Sequence, residues 1–398
     1  MTSLAAVHSS PYSARLATLR DALGEAGVDA LLITSPSNLR YLVGFDGTTG
    51  ALLVSATDVV IIVDGRYVTS ATERMASTDG LRDVRVHVAT ASLEEAMAAA
   101  VMSGPRIWNL GVEAAAITLS RFDRFSEALG LAEAAAPGGT GAPRLRSTER
   151  VVERCRMVKD AVEIATLREA AARLSSVARE LPGFVRAGRS ERDVAGDIDQ
   201  ALRRAGFDRP AFDTIVASGP NSALPHARPG RRTLAGGDGV VLDFGGVYDG
   251  YCVDLTRTVQ LAPVNDDFGR LFEAVRTAHA AAIRAVAPGV QASAVDRAAR
   301  QVLEDAGLGE AFVHGTGHGL GLDVHEEPRL TKPESASGGV ARVADEVLRP
   351  GMVFTIEPGA YVPGLGGVRI EDDVLVVEGG CEVLTDVPID RMGRARDE

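Results

Sequence analysis

The chain has 398 residues, 45% hydrophobic and 24% charged, a composition that suits a globular protein of about two domains and excludes a fibre or a disordered chain. A formal net charge of −12 excludes a general nucleic-acid or anionic-membrane surface, because phosphates are held by clustered Lys and Arg. Cys155, Cys252 and Cys381 are too few and too scattered for a disulfide framework, the start Met1–Pro11 lacks a secretory pattern, and no apolar run could span a bilayer, so a cytoplasmic protein is expected.

In chain order, Leu16, Leu19, Leu23 and Ala26 fall at helical spacing, and Gly27 can end that helix. Ala30–Ile33 reads as a short buried strand, followed by strand candidates at Ala51–Val54, Val59–Val63 and Arg106–Leu110 and a helix around Leu93–Val101. The first part is therefore an α/β domain. The stretch AAAPGGTGAP (Ala134–Pro143) favours flexible turns and is the expected linker, giving domains 1–143 and 144–398. Beyond it, helices are predicted over Ala161–Leu174 and after Ser190, a candidate N-cap, with Val194, Ile198 and Leu202 as the apolar stripe. They precede a segment from Val240 to Val377 that reads as strand-rich, making the second part α+β.

Three pieces of that segment carry chemistry. In VVLDFGGVYDGYCVDLTRT (Val240–Thr258), Asp249-Gly250 is a two-residue hairpin signal. With these two at the turn, Gly245 pairs with Asp254 and Asp243 with Thr256. Asp243 and Asp254 then lie diagonally on one face, roughly 7–8 Å apart along the backbone and within reach of a common ion. Gly245, having no side chain, is expected to leave the space open.

The second piece is VHGTGHGLGLDVHEEP (Val313–Pro328), where glycines alternate with larger residues. An extended chain puts His314, Thr316 and His318 on one side and permits close approach on the other. A neutral imidazole suits several divalent metals, and a second one can donate to a developing oxyanion. In the third piece, Glu357 ends an apolar strand at Pro358 and Glu371 lies in VRIEDDVLVV, two residues from Arg369. The shared face lets the guanidinium orient Glu371 and keep it ionised. Acids in apolar strands are costly unless paired or metal-bound. Together, Asp243, Asp254, His318, Glu357 and Glu371 form an oxygen-rich set suited to two divalent ions, with manganese first and cobalt or zinc as alternatives.

These residues resemble the pita-bread metallopeptidases, in particular the Xaa-Pro aminopeptidase and Xaa-Pro dipeptidase (prolidase) group. The order of the five candidate ligands matches, as do HGTGHGLGLDVHEEP, TIEPG and GVRIEDD, while SNLRYLVGF (Ser37–Phe45) and VDGRY (Val63–Tyr67) resemble that family's creatinase-type N-terminal domain. The resemblance implies that Asp254 and Glu371 bridge two metals, that Asp243 completes one shell and His318 and Glu357 the other, and that a bridging hydroxide attacks the scissile carbonyl with Glu357 handling its proton. It further implies that His325 and His226 (in NSALPHARP) stabilise the tetrahedral intermediate and position the substrate, that His314 flanks the proline ring, and that Arg369 partners Glu371. Proline-containing peptides are the implied substrates and a homodimer or larger homo-oligomer the implied assembly. Aminopeptidase P activity is the leading expectation and prolidase the alternative. Creatinase-like amidinohydrolases would lack the metal set, and a non-enzymatic binding module on the same fold would have lost ligands.

Overall fold

The computed structural model describes residues 10–130, 141–332 and 345–389. The chain divides into two compact units, Met1–Arg156 and Met157–Glu398. Most of the expected linker, residues 134–140, lies outside the described residues, and the strand and helix that follow it, Arg144–Thr148 and Val151–Arg156, fall within the first unit.

The first unit is built on a six-stranded mixed sheet: β1 (Ala30–Ile33), β2 (Ala51–Ser55), β3 (Val59–Asp64), β4 (Arg85–Ala89), β5 (Asn109–Glu113) and β6 (Arg144–Thr148), in the order β4-β3-β2-β1-β5-β6. Its first helix, Tyr12–Glu25, buries Leu16, Leu19 and Leu23 and is followed by Gly27 in the left-handed region at φ 67°. Strand β5 starts at Asn109 rather than Arg106. Its parallel register with β1, Ala30 beside Leu110, fixes that start, and the Asp29 carboxylate accepts from the N–H groups of Trp108 and Asn109.

The second unit carries two sheets and a two-stranded ribbon. One sheet holds β7 (Arg209–Pro210), β8 (Ile215–Ser218), β9 (Gly239–Tyr248) and β10 (Tyr251–Gln260), with β9 paired to the other three. The other, ordered β12-β11-β13-β16-β17, holds β11 (Gly317–Gly319), β12 (Glu326–Leu330), β13 (Val353–Ile356), β16 (Asp372–Val377) and β17 (Gly380–Val383). The ribbon joins β14 (Gly359–Val362) to β15 (Gly366–Arg369). Helix Ala161–Ala178 starts with a capping box in which Asp160 accepts from the Glu163 N–H and the Glu163 side chain from the Asp160 N–H. Ser190 caps helix Glu191–Arg204 by accepting from the Asp193 N–H.

The segment from Val240 to Val377 is rich in strands as expected, and it also holds two helices not among the predicted elements, Asp266–Ala285 and Ala292–Asp305. Phe268, Leu271, Phe272, Val275 and Ala278 recur at helical spacing on the first of them, and this stripe packs with Val295, Ala299 and Leu303 of the second in one core cluster. No helix among the described residues is long and apolar enough to cross a membrane.

Two glycines test the packing in opposite directions. A Cβ on Gly317 would come within 1.9 Å of the Thr355 carbonyl oxygen, whereas Gly196, inside a helix, has nothing within 4 Å. Gly317→Ala should cost roughly 1–3 kcal/mol, or about 2–4 °C of Tm per kcal/mol, while Gly196→Ala should gain up to ~1 kcal/mol. Thermal melts of the metal-free protein check both, and equal Tm values for the two variants would contradict the packing account.

Candidate metal centre

The β9–β10 hairpin has the predicted register: Asp254 faces Gly245 and Thr256 faces Asp243, with Asp249 and Gly250 at the turn in left-handed conformations (φ 45° and 76°). Both strands are buried along nearly their whole length, so Asp243 and Asp254 stand among apolar neighbours. The space at Gly245 is not open as expected. A Cβ there would meet the Val253 carbonyl oxygen at 2.4 Å and the Phe212 ring at 2.8 Å, so the missing side chain lets Phe212 close onto the strand.

Within the glycine-rich segment Gly317–Gly319 form strand β11, and the residues on either side are irregular. The glycine side is crowded by backbone: a Cβ on Gly319 would lie 2.1 Å from the Glu327 carbonyl oxygen, and one on Gly317 would lie 1.9 Å from that of Thr355. This closeness lets the Thr316 carbonyl accept from the Glu357 N–H (2.7 Å), which brings Glu357 beside His318 with Nε2 and Oε1 3.5 Å apart. Thr316 does not join the histidines at the cavity; its N–H and hydroxyl both donate to Asp296. The His318 Nδ1 lies 3.1 Å from the Gly319 carbonyl, which can only accept, so Nδ1 carries the proton and Nε2 keeps its lone pair.

All nine residues singled out from the sequence line one cavity of about 530 Å³: Asp243, Asp254, His318, Glu357, Glu371, His226, His314, His325 and Arg369. Ligand atoms of Asp254, His318 and Glu371 lie within 4.8 Å of one another. Glu357 adjoins this trio through His318, and Asp243, bonded to Arg369, lines the same cavity.

Arg369 does not pair with Glu371 as expected. Its Nη2 meets Asp243 Oδ2 at 2.5 Å, Nη1 donates to the Tyr361 hydroxyl (2.7 Å) and the Pro225 carbonyl (3.2 Å), and Nε donates to Thr256 Oγ1 (3.2 Å). Glu371 is reached only through Thr256, whose hydroxyl donates to Oε2 at 2.6 Å. Glu371 follows the end of β15 instead of continuing it, which removes the strand geometry that alternation assumes.

The electrostatics describe a site made for cations. Burial, then the charges of Glu371 and Asp243, push Asp254 well above the usual carboxylate range; burial, then Glu357 and Asp243, do the same to Glu371. Glu357 is pushed up to about 7, chiefly by burial. His318 is pushed down to about 3 by burial and by His325, whose ring centroid is 4.4 Å away, which keeps it in the neutral form that ligates metals. Asp243 Oδ1 and Asp254 Oδ1 are buried without a hydrogen-bond partner. Unsatisfied carboxylate oxygens beside like charges and a neutral imidazole fit a divalent-metal site, because cations remove both the desolvation and the repulsion.

Around this core lie residues that sequence reasoning missed. Tyr361 bridges Arg369 and His314: it accepts from Arg369 and presents its proton to His314 Nε2 (2.9 Å), while His314 Nδ1 donates to the Gly315 carbonyl (2.8 Å). Both nitrogens of His314 are thereby occupied, and burial pushes its pKa down to about 4. Asp373 accepts from the Asp254 N–H (3.0 Å). Arg329 lines the cavity directly across the strand pair from His318 and makes no hydrogen bond or ion pair among the described residues. Thr256 was visible as the hairpin partner of Asp243; nothing local in the sequence marks Tyr361 or Arg329.

Residues 165–378 match metallopeptidase family M24, and residues 15–158 match the creatinase/prolidase N-terminal domain. The Xaa-Pro dipeptidase of Pyrococcus furiosus is 31% identical over 371 residues, spanning 93% of this chain and 97% of that protein. The structure of an Xaa-Pro dipeptidase from Bacillus anthracis superposes with a TM-score of 0.85 at 34% identity, covering 95% of this chain and 98% of that one. An X-Pro aminopeptidase from Thermotoga maritima gives 0.78 at 31% identity, covering 93% and 99%. Family, fold and buried carboxylate–imidazole cluster agree: the chain belongs to metallopeptidase family M24, a metal-dependent peptidase with a pita-bread catalytic domain behind a creatinase-type N-terminal domain.

Proposed function

We propose that the chain is an Xaa-Pro dipeptidase, a prolidase, which holds two divalent ions, manganese first, on Asp243, Asp254, His318, Glu357 and Glu371. The observation that carries the substrate assignment is Arg329, a cation in the same cavity as the carboxylate cluster that makes no hydrogen bond or ion pair among the described residues. A dipeptide ends in a carboxylate at the distance of one residue from the scissile bond, and an unpaired guanidinium is its natural receptor. The names of the Pyrococcus furiosus and Bacillus anthracis relatives favour this reading over the aminopeptidase P activity expected first. The Thermotoga maritima neighbour keeps aminopeptidase activity as the second reading.

When bound, the ions would polarise the carbonyl of the scissile bond and lower the pKa of a water beside it. The chain's own residues supply the rest. Glu357 takes the proton of the attacking water and returns it to the prolyl nitrogen as the bond breaks. His226 and His325, both at the cavity, donate to the carbonyl oxygen as it gains charge. His314 is kept neutral by burial and has both ring nitrogens taken up by Tyr361 and Gly315, so it offers the substrate ring carbons rather than a charge, a wall suited to the proline ring. Arg369 fixes Asp243 and, through Thr256, Glu371.

Manganese-loaded protein should release alanine from Ala-Pro and leave Gly-Pro-Ala and Ala-Ala-Ala intact. Arg329→Ala should raise KM for Ala-Pro by roughly 10-fold or more, the size of a charge-assisted contact, with a smaller effect on Ala-Pro amide. Equal cleavage of Gly-Pro-Ala would return the assignment to aminopeptidase P, and hydrolysis of Ala-Ala-Ala alone would remove proline from it.

Metal binding should be linked to protons in a defined direction. A metal-free carboxyl raised from 4.5 to about 7, as Glu357 is, contributes stability that is complete below the lower value and is lost as pH rises through the upper one. Metal binds the ionised form, so it must displace protons at low pH. The Tm increase on adding manganese should therefore be small near pH ~5.5 and large near pH ~8. Asp254→Asn should lose both this increase and turnover. A metal-induced increase that shrinks as pH rises, or a fully active Asp254→Asn variant, would contradict the site assignment.

A further inference from the structure

Glu191 is the first residue of helix Glu191–Arg204, is 0% exposed, and does not line the cavity. Its carboxylate nonetheless gathers one loop from both ends. Oε1 accepts from the Ser218 N–H (2.8 Å), the Ser218 hydroxyl (2.7 Å) and Asn221 Nδ2 (3.0 Å); Oε2 accepts from the Gly230 N–H (3.1 Å) and again from Asn221 Nδ2 (3.2 Å). The backbone repeats the tie, since the N–H groups of Glu191 and Arg192 donate to the carbonyls of Arg232 and Gly230.

Between Asn221 and Gly230 lies His226, an exposed histidine on irregular chain that lines the cavity. The opposite side of the loop is held by the ribbon strand β15: the Gly367 N–H donates to Ser222 Oγ (2.9 Å), and Arg369 donates to the Pro225 carbonyl. The Glu191 carboxylate joins residue 218 to residue 230 and closes the loop into a ring, beside a second closure in which Arg232 Nη1 donates to Ser218 Oγ (2.6 Å). A buried carboxylate is tolerated only while its acceptor sites are filled, so Glu191 penalises any opening of that ring.

We propose that Glu191 is a positioning residue that holds His226 at the cavity and acts on turnover through it, touching neither substrate nor metal. The proposal rests on the role given above to His226. A purely structural role, an acid favourably placed at a helix N-terminus, would alter stability and leave the two side chains energetically independent.

The test is a double-mutant cycle on the manganese-loaded full chain with Ala-Pro as substrate. Glu191→Gln keeps the shape but turns an NH2 toward the N–H of Gly230 or Ser218, which should free one end of the loop. It should lower kcat on the order of 10- to 100-fold, the usual effect of a small misplacement of a reacting group. Manganese affinity measured by calorimetry should stay within about twofold of the parent, because no ligand is touched. In the His226→Ala background the same substitution should add less than about twofold. If His226→Ala alone is as active as the parent, the role of that histidine falls. If His226→Ala is impaired and Glu191→Gln still exerts its full effect on top of it, or if Glu191→Gln is fully active or loses metal affinity in parallel, the positioning role is overturned. Should Glu191→Gln fail to fold, Glu191→Asp, which keeps the charge but is one methylene too short to reach Ser218 and Gly230 together, carries the same comparison with His226→Ala.

Discussion

The second unit is organised around carboxylates that have been taken out of water and set beside one another. Asp254 is 5% and Glu371 2% exposed, and burial combined with mutual repulsion drives both toward their neutral forms when no cation is bound. Such groups persist in a fold only if something of opposite charge offsets them. Arg369 supplies part of it, being fully surrounded and bonded to Asp243, Tyr361, Thr256 and the Pro225 carbonyl. The partnerless oxygens of Asp243 and Asp254 are acceptor sites that protein groups leave open and that fit cations.

Holding that cluster open demands a scaffold that does not yield, and the same device recurs. Backbone is brought against backbone where glycine permits it, and a buried polar pair then fixes the result. Thr316 links Asp296 on one side to the Glu357 N–H on the other. Arg300, ion-paired with Asp296, donates to the carbonyls of Phe312 and His314, so three alternate residues of the histidine segment are tied to one helix. A similar pair, Lys159 and Glu326, stands beside the turn that carries His325. Each pair is buried and would be costly if broken on one side, which favours a single arrangement of the segment over alternatives.

How much of this could be read from the residues depends on the range of the signal. The hairpin register was legible because Asp249-Gly250 fixes the turn and pairing then follows by counting. The four acidic candidate ligands stand out because an acid in an apolar run is anomalous wherever it occurs, and His318 stands out through the alternation with glycine. Buried strands such as Ala30–Ile33 announced themselves as continuous apolar runs, whereas β4 and β6, lying at the two edges of their sheet with mostly exposed or half-buried residues, carry no such signature. The two helices within 266–305 carry a 3.6-residue period, Phe268, Leu271, Phe272 and Val275 in the first, but they lie between long apolar strands whose signal is stronger. The partner of Arg369 was misjudged for a different reason. Spacing of two residues predicts a shared face only within one strand, and here the strand ends between them. Tyr361 and Arg329 act across elements, and no local pattern reports a contact set by tertiary packing.

On the dipeptidase reading, selectivity follows from placing an uncharged surface and a charged one in a single cavity. A peptide bond before proline has no N–H, so a peptidase cannot recognise it by the usual backbone donor and must recognise the ring. His314, with both nitrogens already bonded, gives that ring an apolar contact and leaves no donor or acceptor that another residue could exploit. Arg329 then sets the length. A free carboxylate after proline satisfies it, whereas an extended chain would bring a neutral amide to the same place and leave the guanidinium short of a partner. Discrimination thus rests less on attraction to the right substrate than on the penalty for the wrong one, the form of specificity that polar groups provide and apolar pockets do not.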